Sequence, residues 1–352
     1  MNSVGAGEEL FSNGSDKPGA LPLLRIGEMR MYNNVKLDKA LYSITGKSFT
    51  KALTEMDPDE NYAGTELAGL DAFERQLKRF DIKVAGEGCD RVEKFFATAE
   101  SAVLFPEYVR RMIKKGMNEA SIIGEIAAAS TYTDGMDFRG MSVVVNGTDS
   151  GVAQGGTLPE TTVRLAASAQ ALTKYARKLN CSYESIRKQR LEAFGVILKG
   201  LGAQLSRAVN KLAVTTLMTG VTPEEIAGDS ISYADLAAFW ASMGDHDMNV
   251  MVCGPDVMAK ILALDEMKLC VSDFMSSGRV KTPYGVTIVK CAAIADGKVI
   301  GLDSSCAAEM VYGTDVIVDY DKLISTQCDE VACSVTVGFS KLMGDAVKVL
   351  AT

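Results

Sequence analysis

The stretch SYESIRKQRLEAFGVILKGLGAQLSRAVNKLAVTTLMTG, from Ser182 to Gly220, contains nothing that stops a helix outright. Leu191, Phe194, Leu198, Leu201, Leu205, Val209, Leu212 and Leu217 recur mostly at three- and four-residue steps, which lays one apolar stripe along a helix. Ser182 is placed to cap the start, Glu184 suits the positive end of the helix dipole, and Gly220 suits the far end. The pattern predicts one continuous helix over most of 182–218, with Leu191, Leu198, Leu205 and Leu212 facing the sheet of its own domain. At 1.5 Å per residue such a rod is about 55 Å long, well beyond the ~30 Å width of a small domain. The 352 residues suffice for two or three domains, or for one large elongated one.

What precedes the rod cannot stand alone. VVVNGTDSGVAQGGTLPETTVRL holds Asn146-Gly147 and three further glycines, and no aromatic residue occurs between Val143 and Thr173. Turn signals between apolar runs predict a long β-hairpin that buries too little to be stable by itself and must lie on something else. Further upstream, several short helices are expected. One is TELAGLDAFERQLKRF with Thr65 as its cap, another is DRVEKFFATAESAVLF, and a third opens at Pro106. This charged, modular region reads as an arm more than a core.

Beyond Gly220 the pattern becomes mixed α/β. SYADLAAFWASMG is a helix with a Ser232/Asp235 capping pattern, MNVMVCG a buried strand, and PDVMAKILAL a helix with proline in its first turn. YGVTIVKCAAI and KVIGLDSSC read as strands flanking a hairpin-type turn at Asp296-Gly297, and three or four strands follow to the end.

The search for a chemical site is mostly negative. His246 is the single histidine and lies between Asp245 and Asp247, which suggests a solvated loop. Histidine-assisted serine or cysteine chemistry therefore has almost no material. The eight cysteines form no CxxC pair, so a disulfide framework and a zinc site are both disfavoured, and they read as small buried hydrophobes in a reducing compartment. Three phosphate-loop near-misses fail at Leu41, Arg91 and Met141, where glycine or lysine is required. Asp57 and Asp59 read as a solvated loop. Arg187, Lys188 and Arg190 read as the solvated or salt-bridged first turn of the rod, with phosphate or a neighbouring chain's carboxylates as other partners. The seventeen methionines read as core filling. A formal charge of −8 gives no general affinity for nucleic acid or anionic membrane, and no run reaches the ~20 apolar residues of a membrane span. No basic segment followed by an apolar one opens the sequence, so secretion is not expected. A rod, a hairpin and an arm that all expose surface point to large self-assembly.

The order of these parts resembles the major capsid protein of tailed double-stranded DNA bacteriophages, of the Hong Kong 97-type fold. LDAFERQLKRF and SAVLFPEYVRRMIKKGM look like that family's N-terminal arm, and IAAASTYTDGMDFRGM like the lead-in to its peripheral domain. GGTLPETTVRL, followed by LTKYARKLNCSYESIRKQRL, looks like the extended loop returning into the spine helix. MNVMVCGPDVMAKIL and TPYGVTIVKCAAIADGKVIGLD look like the axial domain, and VTVGFSKLMGDAVKVL like the closing segment.

The resemblance implies an α+β fold with an N-terminal arm, an extended β-hairpin loop, a peripheral domain with a long spine helix, and an axial α/β domain. Its boundaries are an arm over 1–105, partly helical; a lead-in over 106–141; the loop over 142–175; the spine over 176–228; the axial domain over 229–312; and peripheral strands with the closing segment over 313–352. It also implies a structural, non-enzymatic subunit of an icosahedral head, without cofactor or metal, forming hexamers and pentamers around double-stranded DNA. Implied partners are further copies of the chain, portal and scaffolding proteins, optional decoration proteins, and DNA by non-specific contact, with no membrane. The implied location is the virion capsid, assembled in the host bacterial cytoplasm. Residues expected at contacts between subunits are Gly156, Leu158, Pro159, Glu160, Arg164, Arg187 and Arg190.

One departure bears on how such a shell would be held. Some members join subunits by an isopeptide bond between a loop lysine and an asparagine of another chain. Here Val143 to Thr173 contains no lysine and no asparagine follows Asn249. Two other readings remain at this stage, an encapsulin-type compartment shell and a soluble enzyme acting through carboxylates alone.

Overall fold

The computed structural model describes residues 32–44, 46–146 and 151–352. The chain divides into two compact units, one of residues up to 83 together with 95–104, the other of 84–94 together with 105–352.

The first unit holds helices α1 (Phe49–Met56) and α2 (Ala72–Arg79). It is no bare arm, because it has a core of its own that includes Phe49, Leu53, Tyr62, Phe73 and Leu77. Thr65 does not cap α2. Its hydroxyl instead closes a local turn, accepting from Leu67 N at 3.1 Å and donating to Tyr62 O at 2.8 Å, and Gly69 breaks the chain at φ +89°. Asp71 caps α2 in a reciprocal box with Glu74. The expected helix over DRVEKFFATAESAVLF is likewise divided, into a 3-10 turn at Val92–Phe96 and a short helix at Ala99–Ala102 capped by Thr98.

Asp57 is not solvated, which corrects the sequence reading. It is buried against the fully buried Arg75, whose Nε donates to its carboxylate at 2.7 Å, and it accepts from Tyr62 Oη at 2.5 Å. Arg75 also donates to the Asp57 carbonyl at 2.7 Å and to the exposed Asp59 carboxylate at 2.9 Å. Burial, and then the bond to Asp57, push the Tyr62 hydroxyl well above the ordinary tyrosine range.

The second unit begins its helices with α3 (Phe105–Ala120) and α4 (Leu191–Met218), followed by α5 (Tyr233–Ala241) and α6 (Pro255–Leu262). Its strands in chain order are β1 (Ala129–Tyr132), β2 (Asp137–Phe138), β3 (Met141–Asn146), β4 (Glu160–Leu165), β5 (Gln170–Ala171), β6 (Thr173–Ser182) and β7 (Glu224–Glu225). Then come β8 (Val250–Cys253), β9 (Val280–Lys281), β10 (Thr287–Lys290), β11 (Lys298–Leu302), β12 (Ala308–Leu323), β13 (Cys328–Lys341) and β14 (Val347–Ala351).

The rod exists, but it starts later than the sequence suggests. Tyr183–Arg187 forms a separate turn of helix, and α4 begins at Leu191. Gln189 and Arg190 are drawn out of the helix by an antiparallel bridge. Val92 N donates to Gln189 O at 3.0 Å, and Leu191 N to Asp90 O at 2.8 Å. The 28 residues that remain are about 42 Å long and pass unbroken through Gly200 and Gly202. Seven of the eight stripe residues are buried, and Leu212 is half-buried. The stripe faces α3 as well as a sheet. Tyr108 Oη donates to Leu191 O at 2.7 Å, the Phe105 and Phe194 rings stack at 6.1 Å, and Asn210 Nδ2 donates to Ala120 O at 3.0 Å.

Two sheets flank this helix pair. The peripheral sheet has the order β1-β12-β13-β6, with β1 parallel to β12 and the rest antiparallel. The axial sheet has the order β7-β14-β11-β8-β10-β9. Its central strand β8 is buried throughout, in a core with Phe239, Met248, Val257 and Ile261. The expected hairpin at Asp296-Gly297 is not one. Gly297 does turn the chain at φ +73°, but β10 and β11 lie on opposite sides of β8, parallel and antiparallel to it. The closing strand β14 pairs with β11 and so belongs to the axial sheet, not to the peripheral strands that precede it. Among the described residues, no helix is long and apolar enough to cross a membrane.

Candidate assembly surface

β3 and β4 pair over six residues, from Met141 opposite Leu165 to Asn146 opposite Glu160, and join no other strand among the described residues. The expected turn at Gly147 lies outside those residues. The root of this ribbon is fixed. β2 pairs with β5, and Leu172 N donates to Met136 O at 3.0 Å. The Phe138 ring lies so close to Gly338 that a Cβ there would meet it at 2.4 Å, so the strand β13 offers a gap where the root packs. The strand that follows, β6, pairs with β13 from Thr173 onward.

Beyond the root, apolar side chains face solvent: Leu158 is 73% exposed, Val163 60% and Leu165 64%. Gly156, Pro159, Glu160 and Arg164 are exposed beside them, and neither of these two charged residues forms an ion pair with another described residue. A two-stranded ribbon is marginal in water, and this one keeps its hydrophobic atoms wet. An apolar surface on such a projection is suited to covering by another chain.

Arg187 and Arg190 lie apart from that ribbon, at the start of the spine. Arg187 is partly buried, with its guanidinium 5.1 Å from the Tyr183 ring centre, and its charge acts on Tyr320. Burial and a 2.5 Å bond to Asp329 push the Tyr320 hydroxyl far up, against the opposing effect of Arg187. Arg190 is exposed and lines a shallow depression with Cys89, Asp90, Arg91, Glu93 and Lys94.

His246 is not in a solvated loop. It is partly buried, with Nε2 3.3 Å from Asp345 and Nδ1 3.7 Å from the Cys306 sulfur. Sequence spacing hides this group because its members come from three separate turns. Of the other cysteines, Cys89, Cys253, Cys291 and Cys333 are buried, and burial pushes the Cys253 thiol up to about 12. Cys181, Cys270 and Cys328 are half-buried instead, so the reading of all eight as core residues holds for only half of them.

A model of the family described as phage capsid protein matches residues 166–325, just under half of the chain. The fold is that of a phage capsid protein. The matched span runs from the ribbon's root through β6 and the spine, across every strand of the axial sheet except β14, and to the end of β12. Among solved structures, the capsid fold is shared with the virus-like particle from Pyrococcus furiosus at a TM-score of 0.51 and 15% identity, over 69% of this chain and 98% of that one. The capsid of a native GTA particle matches at 0.47 and 12% identity, over 65% and 89% of the two chains. Mycobacterium phage Che8 matches at 0.44 and 15%, over 61% and 84%. No curated protein sequence matches this chain.

Proposed function

We propose that this chain is the structural subunit of an icosahedral phage head, assembling into hexamers and pentamers that enclose double-stranded DNA. The observation that carries the reading is the match of residues 166–325 to the phage capsid family. The exposed Leu158, Val163 and Leu165 on a ribbon with no sheet of its own support it physically, since a neighbouring copy would bury them. In this reading Gly156, Leu158, Pro159, Glu160 and Arg164 meet a neighbouring subunit, and Arg190 contributes from the spine's start. Arg187 is engaged within its own subunit and adds rigidity there. Portal, scaffolding and decoration proteins are the further partners, and assembly takes place in the bacterial cytoplasm before the chain resides in the virion. With a net charge of −8, contact with packaged DNA depends on local basic faces and reads no sequence. No catalytic step is assigned to the chain.

Negative-stain microscopy of the purified protein tests this reading, with closed shells as the expected result. Deleting residues 147–156 is expected to leave a folded subunit that builds no closed shells. A parent protein that stays a monomer or small oligomer at every concentration overturns the proposal. A second reading, a shell enclosing a protein cargo, draws on the virus-like particle that shares the fold. Nuclease-protected DNA inside particles from infected cells separates the two.

A further inference from the structure

The turn between β11 and β12 carries Asp303 and Cys306, and the loop before β8 carries His246. One carboxylate oxygen, one sulfur and one imidazole nitrogen from these three residues lie within 4.8 Å of one another. A tetrahedral zinc centre, with metal–ligand bonds of about 2.0–2.3 Å, separates its ligand atoms by roughly 3.5 Å. Small side-chain rotations close that difference, and the Nδ1–Sγ pair already stands at 3.7 Å. We propose that His246 Nδ1, Cys306 Sγ and an Asp303 carboxylate oxygen form a Zn2+ site, with Asp345 orienting the histidine and a water completing the coordination.

Three observations support this assignment. Asp345 lies 3.3 Å from His246 Nε2, on the side of the ring away from the Cys306 sulfur, where it can orient the imidazole with Nδ1 towards that sulfur. A carboxylate behind the ring is the usual companion of a zinc-binding histidine. Asp303 is buried and fixed. Its Oδ1 accepts from Ser305 N at 3.0 Å and Ser305 Oγ at 2.6 Å and its Oδ2 from Asp247 N at 3.2 Å, and the Cys306 thiol also bonds to this carboxylate, a contact that a shared cation would replace. The donors also discriminate. A nitrogen, a sulfur and an oxygen suit zinc, and a thiolate excludes Mg2+ and Ca2+.

Cys306 would bind zinc as its thiolate. Zinc binding releases that thiol proton to solvent. The ion would tie three turns together where β11 and β14 of the axial sheet pass into β12 and β13 of the peripheral sheet. The inference is independent of the assembly reading.

Titration of the untagged, chelator-treated full chain with Co2+ tests it, because tetrahedral thiolate ligation gives intense visible bands and a near-ultraviolet charge-transfer band. Expected are one Co2+ per chain, the charge-transfer band, and displacement by Zn2+ but not by Mg2+. Cys306→Ser abolishes the band, His246→Gln weakens binding at least 100-fold, and Asp345→Asn weakens it about 10–100-fold. Cys270→Ser leaves it unchanged. Protection of Cys306 from alkylation by Zn2+, mapped by mass spectrometry on the parent chain, provides a readout that no variant's misfolding can affect. Absence of binding, binding without the charge-transfer band, or no protection of Cys306 overturns the site.

Discussion

The spine and α3 touch backbone to backbone at two glycines, and this makes a sharp prediction. A Cβ at Gly202 would stand 2.0 Å from the Ile113 carbonyl oxygen and 2.8 Å from the Met117 nitrogen; one at Gly116 would stand 2.1 Å from the Lys199 carbonyl oxygen. Even the close C–H···O contacts of packed helices keep carbon and oxygen about 3.3 Å apart, so Gly202→Ala forces the helices roughly 1 Å apart. A gap of that size forfeits about a quarter to a half of the dispersion energy between the atoms that face each other across the crossing. Overpacking costs about 1–3 kcal/mol, at the upper end here because main chain cannot rotate away. Alanine returns about 1 kcal/mol of helix propensity, leaving a net loss of about 2 kcal/mol.

Gly200 lies two residues away in the same helix, is exposed, and has nothing within 4 Å of its Cβ position. There the propensity gain stands alone, and Gly200→Ala is expected to stabilise by about 1 kcal/mol. Urea unfolding of the unassembled full chain, followed by circular dichroism with matched slopes, reads both. In thermal terms the midpoints move down by about 4–8 °C and up by about 2–4 °C. A Gly202→Ala chain as stable as its parent, or two variants shifting in the same direction, refutes the close-crossing argument.

Arg75→Met leaves Asp57 buried with its guanidinium partner gone and is expected to cost about 3–5 kcal/mol, read as earlier proteolytic cleavage within residues 32–83. Adding Asp57→Leu removes the stranded charge and should recover part of that loss. Particles boiled in detergent and reducing agent should release a single band near 37.6 kDa, because the loop carries no lysine for a covalent join. A ladder of larger species would reveal a cross-link through other residues.

The spine was legible because a stripe at helical spacing survives in any context, and the capping pair Ser232/Asp235 was legible because it is local. What escaped the sequence depends on distant partners. The helix break at 188–190 is imposed by residues 90–92, and the burial of Asp57 by Arg75 on α2. The order of the axial strands also resisted reading, since a turn glycine is the same whether its strands pair or part. Gly195 and Gly202, seven residues apart on the buried face of the spine, did carry a usable signal of close helix contact. In the candidate surface, the exposed apolar ribbon followed from composition, whereas the grouping around His246 required three turns to be brought together.

The position of β14 bears on how the chain reaches its native state. It lies between β7 and β11, and the segment linking it to β11 contains both long strands of the other sheet. Neither sheet can therefore be completed from one continuous piece of chain. Long loops must close before the pairing that rewards them forms, which slows folding and discourages a domain-by-domain route. Until β14 arrives, the hydrogen-bonding edge of β11 stands bare beside the apolar strand β8, open to a strand from another molecule. At the concentrations needed to build a large particle, the rate at which this last strand docks sets how many newly made chains aggregate.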